Sequence, residues 1–238
     1  TLKRTSMELG GNAPFIVFED ADIDAAVAGA LISKYRNSGQ TCVCTNRILV
    51  HESIHDVFVE KLVAATRELK LGDGREEGVQ QGPLVNEGAV QDVARLVEQS
   101  TAAGAVLALG GQRADLGPCY YQPTVLTGVT PDMAVFRNEI FGPVAPVTTF
   151  QDEVEAVALA NDTEFGLASY FYTRDIGRVW RVAEALDYGM VGVNEGIISN
   201  EMAPFGGVKA SGSGREGSKY GIDDYLEIKY VLMGGLDR

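Results

Sequence analysis

Cys42 is the residue of this sequence best suited to chemistry, because a thiol that has lost its proton is a strong nucleophile. It ends the run Asn37-Ser-Gly-Gln-Thr-Cys42, whose small residues leave the sulfur uncrowded. Glu8 is a carboxylate followed by Leu-Gly-Gly, and the glycines allow backbone and ligand to come close. A thiol and a carboxylate of this kind supply a nucleophile and a general base. Because the thiolate is the reactive form, we expect the site to lower the pKa of Cys42.

Other chemistries for Cys42 have less support. Cys42, Cys44, His51 and His55 form a loose zinc-like set, but a single residue separates the cysteines, fewer than in structural zinc sites, so no metal is predicted. A Cys-His hydrolase needs an imidazole beside the thiol, and both histidines are expected across a strand from it. An inert thiol stays open, since free cysteine is often simply a small apolar residue.

A second motif matches a known pattern only formally. Gly212-Ser-Gly214-Arg-Glu-Gly217 has the spacing of the dinucleotide-binding fingerprint, which directly follows a strand and opens a helix. A loop precedes it here. We therefore expect a loop at this position and no phosphate site.

The elements that must position Cys42 and Glu8 alternate between strands and helices. Hydrophobic periodicity and turn residues predict strands at 13–18, 46–51, 106–109, 124–126, 144–150, 169–172 and 190–193, and helices at 20–36, 54–69, 87–103, 153–160 and 176–186. Such alternation is typical of right-handed crossovers and a largely parallel sheet. The predicted fold class is α/β, a three-layer domain in which helices flank the sheet.

The C-terminal part has a different composition. Residues 194–221 are rich in Gly, Ser and Pro, which indicates a functional loop rather than a simple connector. The segment 225–233 alternates partly like a strand. A strand at a chain end often pairs with another subunit, so we expect a homo-oligomer.

The charge and the cysteine content limit the classes of partner and the cellular location that we expect. The formal charge of −13 over 238 residues argues against a nucleic-acid partner, and the absence of a long apolar run argues against a membrane partner. Three cysteines, two of them one residue apart, do not form a secreted disulfide framework and favour a cytoplasmic location. The sequence has no initiator Met and no signal segment, and we expect it to be part of a longer protein.

Four motifs, in order along nearly the whole chain, resemble the aldehyde dehydrogenase superfamily: Met7-Glu8-Leu9-Gly10-Gly-Asn, Gly39-Gln-Thr-Cys42, Glu139-Ile-Phe141-Gly-Pro and Pro204-Phe205-Gly-Gly-Val-Lys. The resemblance implies that Cys42 attacks an aldehyde, that NAD or NADP accepts hydride, and that water activated by Glu8 hydrolyses the thioester. It implies cofactor contacts from Glu139, Phe141, Leu9 and Gly10. Without the motif, Glu139 and Phe141 would be interpreted as a turn acid and a core aromatic.

The resemblance also concerns the organisation of the chain. In the family, most of the dinucleotide-binding units and an Asn that binds the oxyanion lie upstream, so this chain is similar to the catalytic half. We expect a catalytic domain at 1–210, and a return and oligomerisation strand at 211–238. The residues that distinguish NAD from NADP are expected in the upstream half.

Further runs, at 34–44, 192–199 and 214–223, resemble the succinate-semialdehyde dehydrogenases of that superfamily. This likeness implies a small aldehyde substrate whose distal carboxylate is bound by Arg36 and Ser199, with Phe205 as a wall of the pocket. Alternatively, Arg36 is simply a favourable cation at a helix C-terminus, and Ser199 bonds backbone in a loop.

Two more roles follow from the same likeness. Glu216 is a candidate proton relay, with a plain surface acid as the alternative. Cys44 is a candidate partner for Cys42 in an inhibitory disulfide, although the short spacing would strain it. For function as a whole, dehydrogenation of another semialdehyde or of a neutral aldehyde stays open, as does an inactive fragment whose role is assembly.

Overall fold

The fold is built on a seven-stranded sheet in a computed structural model that describes residues 2–237. The strands of the chain are β1 (Met7–Glu8), β2 (Ala13–Val17), β3 (Thr45–His51), β4 (Val106–Leu109), β5 (Thr124–Thr127), β6 (Val144–Phe150), β7 (Phe165–Gly166), β8 (Ala168–Tyr172), β9 (Met190–Val193), β10 (Val208–Lys209) and β11 (Gly212–Ser213). The helices are α1 (Ile23–Tyr35), α2 (His55–Arg67), α3 (Glu87–Ala102), α4 (Ala134–Arg137), α5 (Glu153–Asn161) and α6 (Ile176–Ala185).

The large sheet has the order β4-β5-β6-β3-β2-β8-β9. Its strands pair in parallel except at the β4 edge, where β4 is antiparallel to β5. The short strands form two separate antiparallel ladders, β1 with β11 and β10 with β7. The predicted α/β class with a largely parallel sheet is confirmed.

Helices cover both faces of the sheet, which makes three layers. Alternate residues of the central strands point to opposite faces, so Phe15 and Ile48 pack in one apolar cluster and Ile16 and Leu49 in the other. The first cluster includes residues of α1 and α2, and the second includes residues of α3, α5 and α6. The central strands β2 and β3 are therefore buried on both sides, as is usual in a parallel sheet covered by helices.

The predicted elements of the sheet region are all present, with ends that differ by up to three residues. Helix α1 begins at Ile23 rather than Asp20 because the Asp22 side chain caps it, accepting a hydrogen bond from the Ala25 N–H. The two-residue strands and α4 were not predicted, because two residues of a strand or one turn of a helix show no detectable period. Among residues 2–237, none of the helices combines the length and apolar character needed to cross a bilayer.

The strand predicted at 225–233 is absent from the described part of the chain. Asp223–Tyr225 forms a single 3₁₀ turn, and the residues that follow it up to 235 join none of the sheets. Ile228 and Tyr230 are almost fully exposed. A strand needs a neighbour for its backbone groups, and this segment reaches none within residues 2–237. Its pairing with a second subunit stays a prediction.

Candidate functional site

The predicted site residues gather at the amino-terminal edge of the parallel sheet. Residues 8–12 lead into β2, residues 36–44 lead into β3, and residues 138–143 lead into β6. Because β2, β3 and β6 are parallel, these three loops emerge side by side. Ligands of open α/β sheets usually bind at the carboxyl ends of the strands. This chain places its candidate chemistry at the opposite edge.

Cys42 and Glu8 are in direct contact. The Cys42 thiol donates a hydrogen bond to Glu8 Oε2, with 3.6 Å between sulfur and oxygen. The loops come this close because Gly11 has no side chain, and a Cβ there would lie 2.3 Å from the Cys42 carbonyl oxygen. The sequence predicted this pair of groups, and the structure brings them together.

The expected lowering of the pKa of Cys42 is wrong for this chain. Burial, then the charge of Glu8 and the hydrogen bond to it, raise the pKa of Cys42 to about 12. The pKa of Glu8 is also raised, mainly by burial, while the hydrogen bond from Cys42 works in the other direction. The thiol is thus held protonated against its base in this structure.

Replacing Glu8 by Gln is expected to make Cys42 more reactive toward iodoacetamide in the isolated chain at pH 8. Removing the negative charge lowers the pKa of Cys42, so more thiolate is present, although its lower basicity offsets part of the gain. We expect a rise of about three- to tenfold, equivalent to about one pKa unit or less. Tandem mass spectrometry of the peptide that spans 37–47 measures it. Buried Cys44 is the internal control, and an unchanged Cys42 rate would contradict the coupling.

Cys44 is a free, buried thiol turned toward its own loop. Its sulfur accepts a hydrogen bond from Thr41 Oγ1 at 2.9 Å and lies 3.7 Å from the Arg36 carbonyl oxygen. Cys42 is also a free thiol. A disulfide between Cys42 and Cys44 stays a prediction.

Neither histidine faces the thiol. His51 ends β3, at the strand end opposite to the Cys42 loop. Its Nδ1 bonds Ser53 Oγ at 2.8 Å, and Nδ1 of His55 bonds Asp56 Oδ1 at 2.8 Å. The Cys-His alternative has no geometric support.

Glu139 lies beside the same loops. Its Oε1 accepts a hydrogen bond from the Gly11 N–H at 2.8 Å, and burial raises the pKa of Glu139. Phe141 follows at the surface with 44% of its area exposed. A cavity of about 390 Å³ lies between this loop and α3 and is lined by Glu139, Phe141, Asp92 and Arg95. An acceptor carboxylate and an exposed ring beside a cavity are groups that fit a nucleoside.

Leu9 and Gly10 are fixed by a residue that sequence reasoning missed. This residue is Ser211, which is fully buried. Its hydroxyl donates a hydrogen bond to the Gly10 carbonyl at 2.7 Å and accepts one from the Gly166 N–H at 2.9 Å. Its carbonyl also accepts from the Leu9 N–H at 3.1 Å. Serine in a Gly-Ser loop gives no signal of this kind in the sequence.

Arg36 and Ser199 meet although 162 residues separate them in sequence. Arg36 Nη1 lies 3.5 Å from Ser199 Oγ, at the limit of a hydrogen bond, and both residues are exposed. Arg36 follows the last residue of α1, which returns the chain to the amino-terminal edge. The loop after β9 brings Ser199 to the same place. A guanidinium and a hydroxyl that face solvent together can bind an anion.

Phe205 and Glu216 pair through their backbones. Phe205 N–H donates to the Glu216 carbonyl at 2.9 Å, and the Glu216 N–H donates back at 2.6 Å. Both residues, with Glu8, line a small cavity of about 50 Å³. The Phe205 ring packs against the apolar cluster that Cys42 also borders. The neighbouring run 212–217 forms β11 and irregular backbone that includes the bridge from Glu216 to Phe205, and no helix begins there.

A buried polar network beneath the loops was also missed. Asn46 donates to Asn12 Oδ1 at 2.6 Å and to the Asn138 carbonyl at 2.7 Å, and it accepts from the Ile140 N–H at 2.9 Å. Its amide therefore binds the backbone on both sides of Glu139. The sequence shows only two asparagines at the starts of apolar strands, which is a weak signal.

Arg47 completes this network with a fully buried guanidinium. It donates to the Asn12 carbonyl through Nε and Nη2, at 3.2 and 2.8 Å, and to the carbonyls of Leu159 and Ala160 at 2.8 Å. Nη2 also reaches Tyr188 Oη at 2.9 Å. All these acceptors are neutral oxygens. Arg47 thus ties the loop after Glu8 to the end of α5.

Comparison with known proteins shows the family to which the chain belongs. The model of the aldehyde dehydrogenase family matches residues 1–231. A 3-sulfolactaldehyde dehydrogenase of Pseudomonas putida is 63% identical over 238 residues, covering 100% of this chain and 49% of that protein. A glutarate-semialdehyde dehydrogenase of Pseudomonas aeruginosa is 59% identical over 235 residues, covering 99% of this chain and 49% of that protein.

A solved structure gives the same result in three dimensions. The crystal structure of succinate-semialdehyde dehydrogenase from Burkholderia pseudomallei superimposes with a TM-score of 0.96 and 64% sequence identity. The match covers 97% of this chain and 48% of that one. The chain thus spans about half the length of the relatives it matches.

Proposed function

The chain belongs to the aldehyde dehydrogenase family, and on that premise we propose that it carries the catalytic residues of an NAD(P)-dependent dehydrogenase for short anionic aldehydes, with succinate semialdehyde as the first candidate. The observation that carries the proposal is the contact between the Cys42 thiol and Glu8 Oε2 at 3.6 Å. A thiol that donates to a carboxylate is a nucleophile beside its base.

In the first half of the proposed reaction, Glu8 accepts the thiol proton while Cys42 sulfur forms a bond to the aldehyde carbon. The carbonyl oxygen becomes an oxyanion, and the family resemblance assigns its stabilisation in part to the Cys42 N–H. Departure of hydride from this carbon leaves a thioester on Cys42.

In the second half, water adds to the thioester carbon while Glu8 accepts its proton, and the C–S bond breaks to release the acid and the thiolate. Glu8 must lose its first proton before this step. Glu216, which lines the same small cavity, is the proposed acceptor. The net reaction consumes one aldehyde, one water and one oxidised cofactor.

When bound, NAD or NADP supplies the hydride acceptor. The residues that fit it are Glu139, whose Oε2 is left for a ribose hydroxyl while Oε1 binds Gly11, and the exposed ring of Phe141. Leu9 and Gly10, held by Ser211, complete the proposed cofactor contacts. The adjoining cavity of about 390 Å³ gives room for part of a nucleotide.

The anionic substrate class follows from Arg36 and Ser199, 3.5 Å apart at the surface of the site. A guanidinium binds a carboxylate with two parallel hydrogen bonds, and Phe205 supplies an apolar wall. In a chain with a formal charge of −13, an anion needs a dedicated cation of this kind.

Replacing Arg36 by Ala tests the substrate class. In the full-length enzyme proposed here, kcat/KM for succinate semialdehyde is expected to fall about 100-fold, mainly through KM, because charged hydrogen bonds contribute about 1.5–3 kcal/mol. Butanal, which lacks the carboxylate, should keep its kcat/KM within about twofold. Arg36→Lys keeps the charge without the planar fork and should give an intermediate loss. Equal losses on both aldehydes would remove Arg36 from the substrate site.

A second substrate is favoured by one observation. The relative that is 63% identical over the whole chain is named a 3-sulfolactaldehyde dehydrogenase, and a sulfonate, like a carboxylate, is an anion that a guanidinium binds. The steady-state comparison therefore includes 3-sulfolactaldehyde and glutarate semialdehyde. The highest kcat/KM among the three anionic aldehydes identifies the substrate.

A further inference from the structure

The chain on the N-terminal side of Glu8 has few contacts with the rest of the fold. Its strand β1 has two residues, both exposed, and within residues 2–237 it pairs only with Gly212 and Ser213 of β11. A two-stranded ladder is marginally stable by itself in water. On its C-terminal side, Glu8 continues through Leu9 and Gly10, which Ser211 holds, toward β2 in the middle of the large sheet. On its N-terminal side, the position of Glu8 therefore depends on the contacts that residues 4–6 make.

The carboxylate of Asp224 closes the open end of this ladder. Asp224 Oδ2 accepts from Ser6 Oγ at 3.1 Å and from the Arg215 N–H at 3.2 Å. Ser6 lies two residues before Glu8, and Arg215 lies next to Glu216. The approach depends on Gly214, since a Cβ there would come within 2.3 Å of Asp224 Oδ2.

The neighbouring part of the C-terminal segment follows the same path. Arg4 Nη1 donates to the Leu226 carbonyl at 2.6 Å and contacts Glu227 Oε1 at 3.3 Å. Tyr225 lines the small cavity beside Glu8 together with Ser6. The segment that carries Asp224 thus runs along residues 4–6 and forms one wall of the space around Glu8.

We propose that Asp224 is a positioning residue that keeps Glu8 against Cys42 by fastening Ser6 to the backbone of Arg215. One carboxylate oxygen joins the chain segment before Glu8 to the segment that carries Glu216, so both acids keep a fixed relation to the thiol. The inference rests on the proposed role of Glu8 as the base. It assigns Asp224 a task within the site, in addition to any task of the C-terminal segment in assembly.

The test measures Cys42 alkylation by iodoacetamide at pH 8 in the 238-residue chain, in a double-mutant cycle of Asp224→Ala and Glu8→Gln. Asp224→Ala is expected to raise the rate about threefold or more, because Glu8 moves away and its charge no longer opposes the thiolate. In the Glu8→Gln background the same substitution should change nothing. Asp224→Asn keeps an acceptor oxygen and should restore the slow rate.

Asp223→Asn is the matched control, since Asp223 is adjacent and exposed, and it should leave the rate unchanged. Thermal melting of each variant checks that the fold is retained. An unchanged rate in Asp224→Ala, or an equal rise in both backgrounds, would overturn the proposal, because general loosening exposes Cys42 whether or not Glu8 is present. The readout needs no turnover, so a failed aldehyde comparison would count against the proposed substrate and leave this result intact.

Discussion

Replacing Cys42 by Ala should abolish aldehyde oxidation in the full-length enzyme, with a fall in kcat of at least about 10⁴-fold. The proposed reaction passes through a bond between the Cys42 sulfur and the aldehyde carbon, and no other group can replace that bond once the sulfur is gone. Removal of a nucleophile from a working catalytic set typically costs this much or more. The measurement is the initial rate of reduced-cofactor formation, followed by absorbance at saturating aldehyde.

The matched control is Cys119→Ala. Cys119 is also a free, partly exposed thiol, but it lies in the loop before β5, where its carbonyl accepts a hydrogen bond from the Leu84 N–H. Its loss should leave kcat within about twofold, in line with a surface substitution outside the site. A Cys42→Ala enzyme that kept a tenth of the original rate would exclude the thioester route.

Replacing Arg47 by Met should lower the free energy of unfolding of the chain by about 2–5 kcal/mol, because several buried acceptors lose their donor at once. Methionine fills much of the same space but donates no hydrogen bond. The carbonyls of Asn12, Leu159 and Ala160 would lose a charged donor inside the protein, where an unpaired polar group costs about 1–3 kcal/mol. Urea unfolding followed by circular dichroism gives the change from the midpoint at constant slope.

Arg95→Met serves as the comparison for this stability effect. Arg95 is an arginine of α3 that pairs only across the helix surface, 2.6 Å from Asp92, and exposed pairs of this type contribute about 0.3–0.5 kcal/mol. Its loss should therefore shift the midpoint very little. If both substitutions destabilised the chain equally, the buried network around Arg47 would not be the source of the effect.

The order of the elements could be predicted because each long element carries its own period. The runs 13–18 and 46–51 predicted strands, and they became β2 and β3 respectively. Cys42 and Glu8 could be paired from motif resemblance. Arg36 and Ser199 were paired in the same way, and the structure places them in contact.

Other features depend on tertiary structure that a single sequence does not encode locally. The pKa of Cys42 is raised by burial and by the closeness of the Glu8 carboxylate. The spacing of these residues in the sequence cannot predict either effect. Asn46, Arg47 and Ser211 bind backbone groups of loops that are distant in sequence. Their residue types alone therefore do not predict these contacts. The segment predicted as the terminal strand forms no strand within residues 2–237, because an alternating pattern shows which faces a segment has and not whether it has a neighbour.

The position of the site at the amino-terminal edge leaves the other edge of the sheet available for engineering. Strand β3 has seven residues, which separates the Cys42 loop from the 52–54 turn by roughly 20 Å at about 3.3 Å per residue. A fluorophore or surface-immobilisation handle at that turn would report on or hold the protein without obstructing the approach to Cys42. The loops that carry the chemistry can be varied while the attachment point stays constant.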